Sequence, residues 1–460
     1  MISYTGYEQI IDAVYKNKQE QVFHYWDQLN SNDKQNLILE LNDVDFDLMN
    51  KLYAQKSALS VGNVDFEPAP YIPLFGGGTD ADSFIKAVKK GMEYISHGRT
   101  AVLLVAGGQG TRLGFDGPKG MLPISPVKNK SLFQIHAEKL LFYSKKYKIA
   151  MPWLIMTSKE NHSDTVGYFK NNKYFGLNPE NVFFFSQKMI PSLDLSGKLL
   201  LKTQSSLCLN PDGHGGTLTA LSSSGILDEL SRRKIDVISY FQIDNPLVNI
   251  VDPLFIGFHV LNGSDVSSKG VMKTDPGEKV GVFVKFNNGK TGIVEYSDLP
   301  QGKQTETDNN GNLKFCMGSI AIHVFNTKYI ESIISGSISS LQYHTAQKKI
   351  KALVNGKDKD VDSLKYEKFI FDTLSLTDKN TILETRREEE FAPVKNANGV
   401  DSPDTAKKLM SNLHRKWLIE KKITIPENVK VIEISPLLAV EAGDLPKNLT
   451  LPETEKVYLE

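Results

Sequence analysis

The chain has only two cysteines, Cys208 and Cys316, in 460 residues. That is too few for a disulfide framework or a cysteine-based zinc site, and it suits a reducing cytoplasm. Nowhere do 18 apolar residues run together, and the N-terminus has no basic segment followed by an apolar core, so the chain reads as neither membrane-spanning nor exported. An excess of one charge is lacking too: 54 Lys and Arg balance 54 Asp and Glu. Without a basic field to attract nucleic acid or an anionic bilayer, the expected partners are small molecules. Two familiar phosphate motifs are also missing. The glycine-rich turn described next is spaced GGxGxxxG rather than GxGxxG, which disfavours a dehydrogenase. Gly289-Lys290-Thr291 is not a P-loop, because Val284 stands where its upstream glycine belongs.

What the chain does have is the stretch Ala101 to Pro123, AVLLVAGGQGTRLGFDGPKGMLP. Its continuous apolar run, Ala101 to Ala106, predicts a buried parallel strand. Gly107, Gly108 and Gly110 follow, where bare backbone amides can approach phosphate oxygens. Arg112 and Lys119 add two permanent cations within one loop length. The combination suits a polyphosphate; a tight turn with surface charges is the plain alternative.

Along the chain, Ile10, Ile11 and Val14, then Val22, Phe23, Trp26 and Leu29, recur at helical spacing and predict helices with an apolar packing stripe. Asn32 or Asp33 is the expected cap of a further helix. Residues 61–79, with three prolines and Gly76-Gly77-Gly78, read as a linker. Thr79 or Asp80 then caps a helix bearing Phe84, Val88, Met92 and Ile95. Strands at Ala101, Trp153 to Met156, Val182 to Phe185 and Val237 to Ile243 alternate with helical patterns. This predicts a Rossmann-like three-layer α/β domain with ligands at the carboxyl ends of its strands, where the glycine loop, Gln187 and Asp244 all fall. Shorter β segments, Val280 to Phe286, Gly292 to Tyr296 and Phe315 to Phe325, could extend that sheet. Residues 335–362 read as solvated helix and loop, and Arg386 to Glu390 as a solvated face. The division expected is 1–79 helical region and linker, 80–400 catalytic domain, and 401–460 small C-terminal domain.

Several separated motifs carry a resemblance: AGGQGTRLG with PKG, SLFQIHAEKL, YFGLNPENVFFFSQ, PDGHGG, DNPLV, EYS, KFIFD and REEEFAPVKN. Together they resemble the eukaryotic-type UDP-N-acetylglucosamine pyrophosphorylases, relatives of the UDP-glucose pyrophosphorylases, from about residue 80 to the C-terminal EISPLL. The resemblance implies a nucleotidyltransferase domain with a GT-A-like mixed sheet, and attack by a sugar 1-phosphate on the α-phosphorus of UTP with Mg²⁺. It implies that Ala106, Gly107, Gly108 and Gly110 cradle the nucleotide, and that Arg112 and Lys119 hold the departing phosphates. Asp244 is implied as the Mg²⁺ ligand, and Lys395 as the cation on the sugar phosphate and α-phosphate. Gln187, Gly213 and His214 match the uracil site, while Asn245, Gly281, Glu295 and Tyr296 match the sugar side; Phe369 and Phe371 could wall an acyl pocket. A monomer or weak oligomer is expected. His214 stands where the N-acetylglucosamine branch usually has asparagine, and Ser319 and Ile322 replace two asparagines of the sugar side. Glucose or several sugars therefore stay open as substrates, and so does a silent nucleotide-sugar binder.

Overall fold

The computed structural model describes residues 2–55, 65–74, 80–338 and 340–460. Packing divides them into two compact units. The smaller is assembled from the N-terminal stretch, residues 187–216 and residues 341–370. Its N-terminal part is helical: α1 (Glu8–Lys16), α2 (Ser31–Asn42) and α3 (Phe46–Ala54). Asn30, rather than Asn32 or Asp33, caps α2 by accepting from the Asp33 amide, which ties up one of the free donors of the first turn. The apolar stripe packs as its spacing requires: Ile11, Val14, Phe23, Trp26 and Leu52 are buried with Ile190, Leu207 and Tyr366 from the other two stretches.

Residues 335–362, expected as solvated helix and loop, instead hold most of a long antiparallel hairpin, His344–Val354 against Lys357–Glu367. Its tip is Asn355-Gly356, with φ of 52° and 73°. That dipeptide adopts the left-handed pair of angles whose twist matches two antiparallel strands. The Tyr25 hydroxyl accepts the Gly356 N–H at 2.6 Å and ties the tip to the N-terminal stretch.

The larger unit is built on a ten-stranded mixed sheet. The chain enters it on β1 (Phe66–Pro68), so part of the expected linker is a strand, while Gly76-Gly77-Gly78 lies outside the described residues. It then lays down β2 (Thr100–Val105), β3 (Trp153–Thr157), β4 (Val182–Ser186) and β5 (Val237–Gln242). These four run parallel in the order β5-β2-β3-β4. The later chain adds β6 (Val266–Met272), β7 (Val282–Phe286), β8 (Thr291–Val294), β9 (Met317–Asn326) and β10 (Asn380–Glu384). Because β9 runs antiparallel to β5, β6 and β7, the sheet is mixed.

Helix α4 (Ala81–Ser96), capped by Asp80, leads into β2. Helices α5 (Leu132–Tyr147), capped by Ser131, and α6 (His162–Asn171) link the parallel strands, and α7 (Pro253–Leu261) follows β5. Val102, Leu104, Trp153, Ile155 and Ile256 are fully buried in the common core. The C-terminal residues belong to this unit and carry a small apolar cluster of their own. There α8 (Pro403–Glu420) packs on the parallel pair β11 (Val431–Ile434) and β12 (Lys456–Leu459) through Leu418, Ile432 and Val457. Among the described residues no helix is long and apolar enough to cross a membrane.

One register detail positions the chemistry. Val105 at the end of β2 lies opposite Gln242 at the end of the parallel β5. The loops leaving those two strands therefore start side by side, at the edge where open α/β sheets bind ligands.

Candidate functional site

The loop after β2 folds back on itself: the Gly110 N–H donates to Gly117 O at 2.8 Å and the Lys119 N–H to Gly108 O at 3.1 Å. Beneath it, the fully buried Asn161 donates its side-chain amide to Ala106 O at 2.9 Å and Gly108 O at 3.3 Å. The loop carbonyls are thus held from inside, while the amides of Gly107, Gly108 and Gln109 meet no acceptor among the described residues. Successive free N–H groups beside Lys119 and the exposed Arg112 have the form of turns that can bind anions. The glycines serve different ends. A Cβ on Gly110 would come within 2.8 Å of the Phe115 ring, whereas a Cβ on Gly108 would meet nothing within 4 Å. The fold needs the first; among the described residues nothing fills the space at the second.

The neighbouring loop begins with the Ile243 N–H on Val105 O at 3.1 Å and brings the Asp244 carboxylate to 3.9 Å from Lys119 Nζ. At that distance the contact is charge attraction, not a hydrogen bond. A third segment arrives from far along the chain. The Val394 N–H donates to Asp244 O at 2.9 Å, which sets Lys395 next to Asp244, and the Lys395 N–H donates to Asp401 O at 2.7 Å. The Lys395 side chain is exposed, its ammonium 5.9 Å from the Phe391 ring centre. Burial raises the pKa of the Asp401 carboxyl, opposed by Lys395 and Arg387 and reinforced by Asp244 and Glu278. A cavity of about 70 Å³ is bounded by Asp244, Asn245, Ser319, Ile322, Phe391 and Lys395.

A glycine-rich amide turn, two lysines and an aspartate meeting at the ends of parallel strands are the parts of a phosphate-transfer site. The family model of UTP--glucose-1-phosphate uridylyltransferase matches residues 80–443. The chain belongs to this uridylyltransferase family. UDP-N-acetylglucosamine diphosphorylase 2 of Arabidopsis thaliana is 35% identical to it, covering 95% of this chain and 91% of its own. UDP-N-acetylglucosamine pyrophosphorylase of Saccharomyces cerevisiae is 34% identical, covering 93% and 94%. The solved structure of the uridine diphosphate N-acetylglucosamine pyrophosphorylase of Trypanosoma brucei, in complex with inhibitor, superposes with a TM-score of 0.85 at 26% identity, covering 100% of this chain and 99% of that one.

In this uridylyltransferase-family chain, the residues expected on the sugar side come from three separate segments. The Ser319 N–H donates to Gly281 O at 2.8 Å, joining the β7 edge to the small cavity. A Cβ on Gly281 would lie 2.7 Å from the Ile293 side chain and 3.3 Å from Glu295 Oε1, so glycine here leaves room for that carboxylate. Tyr296 is 42% exposed. Asn245 is buried and spends its amide inside the protein, donating to Glu390 O at 2.6 Å and accepting from Ala392 N at 3.1 Å. It clamps the Lys395 loop to the Asp244 turn.

The expected uracil residues fall in the smaller unit. Gln187 is buried at the start of the second of its three stretches. Gly213 has φ +85°, and a Cβ there would lie 2.4 Å from Lys368 O, so a side chain is excluded by both backbone angle and space. His214 Nδ1 accepts the Ile370 N–H at 3.1 Å, and its ring stacks on Phe369 with centres 5.5 Å apart. Phe369 also meets the His344 ring, 4.4 Å away. Burial pushes His214 down to about 4, the Glu367 carboxylate opposing that and His344 adding to it. At neutral pH the ring is therefore uncharged, as an acceptor on Nδ1 requires. Asp212 is pushed up to about 6 by burial, with Lys368 opposing the rise.

Four contributors went unread in the sequence. Asn161 lies just past a strand end and has the look of a simple cap. Lys139 is half-buried on α5, and Lys269 sits at 1% exposure in the middle of β6. A lysine inside a strand of small and apolar residues was the available signal, since an unpaired lysine is almost never fully buried. Glu390, expected on a solvated face, is buried and paired with Lys269, which corrects that reading for the end of the Arg386–Glu390 run.

Proposed function

We propose that this protein is a uridylyltransferase joining UTP and N-acetylglucosamine 1-phosphate to give UDP-N-acetylglucosamine and pyrophosphate. The observation that carries the reading is the convergence of Lys119, Asp244 and Lys395 from three separate segments beside unpaired loop amides. Relatives named for this reaction over nearly the full chain point to the same substrates. A phosphate oxygen of the sugar phosphate attacks the α-phosphorus in line, the bond from that phosphorus to the bridging oxygen breaks, and pyrophosphate leaves with the electron pair. Such transfer asks for alignment and charge neutralisation, and no protein nucleophile. The amides of Gly107 to Gln109 bind triphosphate oxygens, Arg112 and Lys119 neutralise the leaving pyrophosphate, and Lys395 draws the sugar phosphate toward the α-phosphorus.

Mg²⁺ is part of the proposal. Among the described residues no group of three or more His, Cys, Asp or Glu could hold a metal ion by itself. Asp244 offers one carboxylate in a pocket, the donor set Mg²⁺ uses when substrate phosphates supply the remaining oxygens. When bound it would supply Lewis-acid neutralisation of the phosphate charge. A cytoplasmic location belongs to the same reading and is supported by Cys208 and Cys316, both free thiols.

Broader sugar use has its own support. Ser319 and Ile322 line the small cavity with a hydroxyl and an alkyl group in place of two amides. Pyrophosphate release from UTP, Mg²⁺ and a panel of sugar 1-phosphates decides: preference for the N-acetylated sugar is expected, preference for glucose 1-phosphate would overturn the substrate, and no release with any sugar would leave a silent binder. The glycine loop gives a second check. Gly108→Ala should weaken UTP binding on the order of tenfold, because a methyl group enters the space the phosphates approach. Its melting temperature should match the wild type, as none of the described residues touches that methyl; unchanged UTP affinity by calorimetry would remove Gly108 from the nucleotide site.

A further inference from the structure

Behind the Asp244 turn lies a chain of buried and half-buried polar contacts that meets the cavity at Asn245. Lys269 Nζ lies 2.6 Å from Asp252 Oδ2 and is also bonded to Glu390 Oε1. Glu390 Oε1 further accepts from Thr385 Oγ1 at 2.9 Å, and its Oε2 from the Asn249 N–H at 3.3 Å. From Glu390 outward, its carbonyl accepts the Asn245 amide at 2.6 Å, Asn245 accepts the Ala392 N–H at 3.1 Å, and Asp244 O accepts the Val394 N–H at 2.9 Å. On the other side of the turn, Lys139 Nζ donates to Pro246 O at 2.7 Å and Val248 O at 2.8 Å. Asp252 is itself fixed, since its side chain caps α7 through the Leu254 N–H.

We infer that Lys269 is a positioning residue for catalysis: its buried pair with Glu390 holds the segment 390–394 against the turn 244–249 and so sets Lys395 opposite Asp244. Two charges at these positions contribute little net stability compared with packed apolar side chains, because desolvation offsets their attraction. They do fix geometry. A short ion pair with further hydrogen bonds on both carboxylate oxygens allows one placement of the Glu390 backbone, and alternate residues from there, Ala392 and Val394, donate to the turn. Lys395 is the next residue, exposed, with its own N–H on Asp401 O and its ammonium over the Phe391 ring. Losing the pair leaves the fold's sheet in place and lets that segment drift from Asp244.

The inference rests on the uridylyltransferase reading for its catalytic part, and the experiment separates the two. Lys269→Met alone would strand the buried Glu390 carboxylate and the half-buried one of Asp252, so the double variant Lys269→Met/Glu390→Gln, which removes both charges of the pair, carries the test; if it does not fold, Glu390→Gln alone is measured the same way. Hydrogen exchange of the Ala392 and Val394 amides should rise at least tenfold, with the amides of β2, β3 and β5 unchanged. In turnover with UTP and the sugar phosphate, kcat should fall about tenfold or more while the UTP dissociation constant stays within threefold. Unchanged exchange at Ala392 and Val394 overturns the tether whatever the activity. Raised exchange with wild-type kcat overturns the catalytic role, and a wild type that releases no pyrophosphate defeats the proposed reaction while exchange still decides the tether.

Discussion

Lys395→Ala is expected to slow pyrophosphate release by about 10² to 10³-fold, the cost of removing one preorganised charge from a site where charge develops. UTP affinity should stay within about twofold, because an interaction made chiefly in the transition state lowers kcat without weakening ground-state binding. The side chain is exposed, and among the described residues its ring contact is with Phe391, 5.9 Å away. Truncation therefore opens no core cavity, and stability should move by no more than about 0.5 kcal/mol, as for other surface substitutions. Its place beside Asp244 comes from the backbone bond of Val394, which alanine at 395 keeps. Stopped-flow measurement of a single turnover, with calorimetric titration of UTP, checks both halves. A mutant with near-wild-type turnover would sink the role of this cation.

Asp244→Asn should be at least as severe, about 10³-fold in kcat, since metal-assisted charge stabilisation is worth several kcal/mol and each 1.4 kcal/mol is about tenfold. The substitution is close to isosteric, and the fold uses the Asp244 carbonyl, on which Val394 donates, rather than its carboxylate. The loss should therefore appear in turnover and not in melting temperature. Lys119, 3.9 Å away, would gain an unneutralised charge beside the triphosphate. UTP alone is then expected to bind as well or better in chelator, while the Mg²⁺ concentration needed for half-maximal rate rises. Turnover and Mg²⁺ dependence identical to wild type would take Asp244 out of the metal role.

The parts of the site that could be read in the sequence are those whose signal is local. A continuous apolar strand, glycines at its end and cations in the next loop all lie within Ala101 to Pro123, and an apolar strand ending in Asp244 repeats the arrangement. The strands forming around them follow from the same runs. Residues whose work depends on a distant partner were not legible. Glu390 sits in a run of charges that a sequence presents as solvated, and only the fold supplies Lys269 as its neighbour. The backbone partners of Asn245 and His214, Glu390 O and the Ile370 N–H, likewise lie far along the chain and are supplied only by the fold. The hairpin at 344–367 was hidden by lysines and aspartates on its faces, although Asn355-Gly356 was the turn signal to use.

The smaller unit has a consequence for the making of the protein. Its apolar cluster joins Leu52 to Tyr366, which belong to the first and last of its three stretches. At a synthesis rate of about 5–20 residues per second, the N-terminal helices wait roughly 15 to 60 s before the strand that completes their core is made. During that interval Trp26, Phe23 and Leu37 have no complete interior to enter. The nascent chain is a natural client for a chaperone at its N-terminal end, and a truncated product ending before residue 341 should be insoluble or degraded.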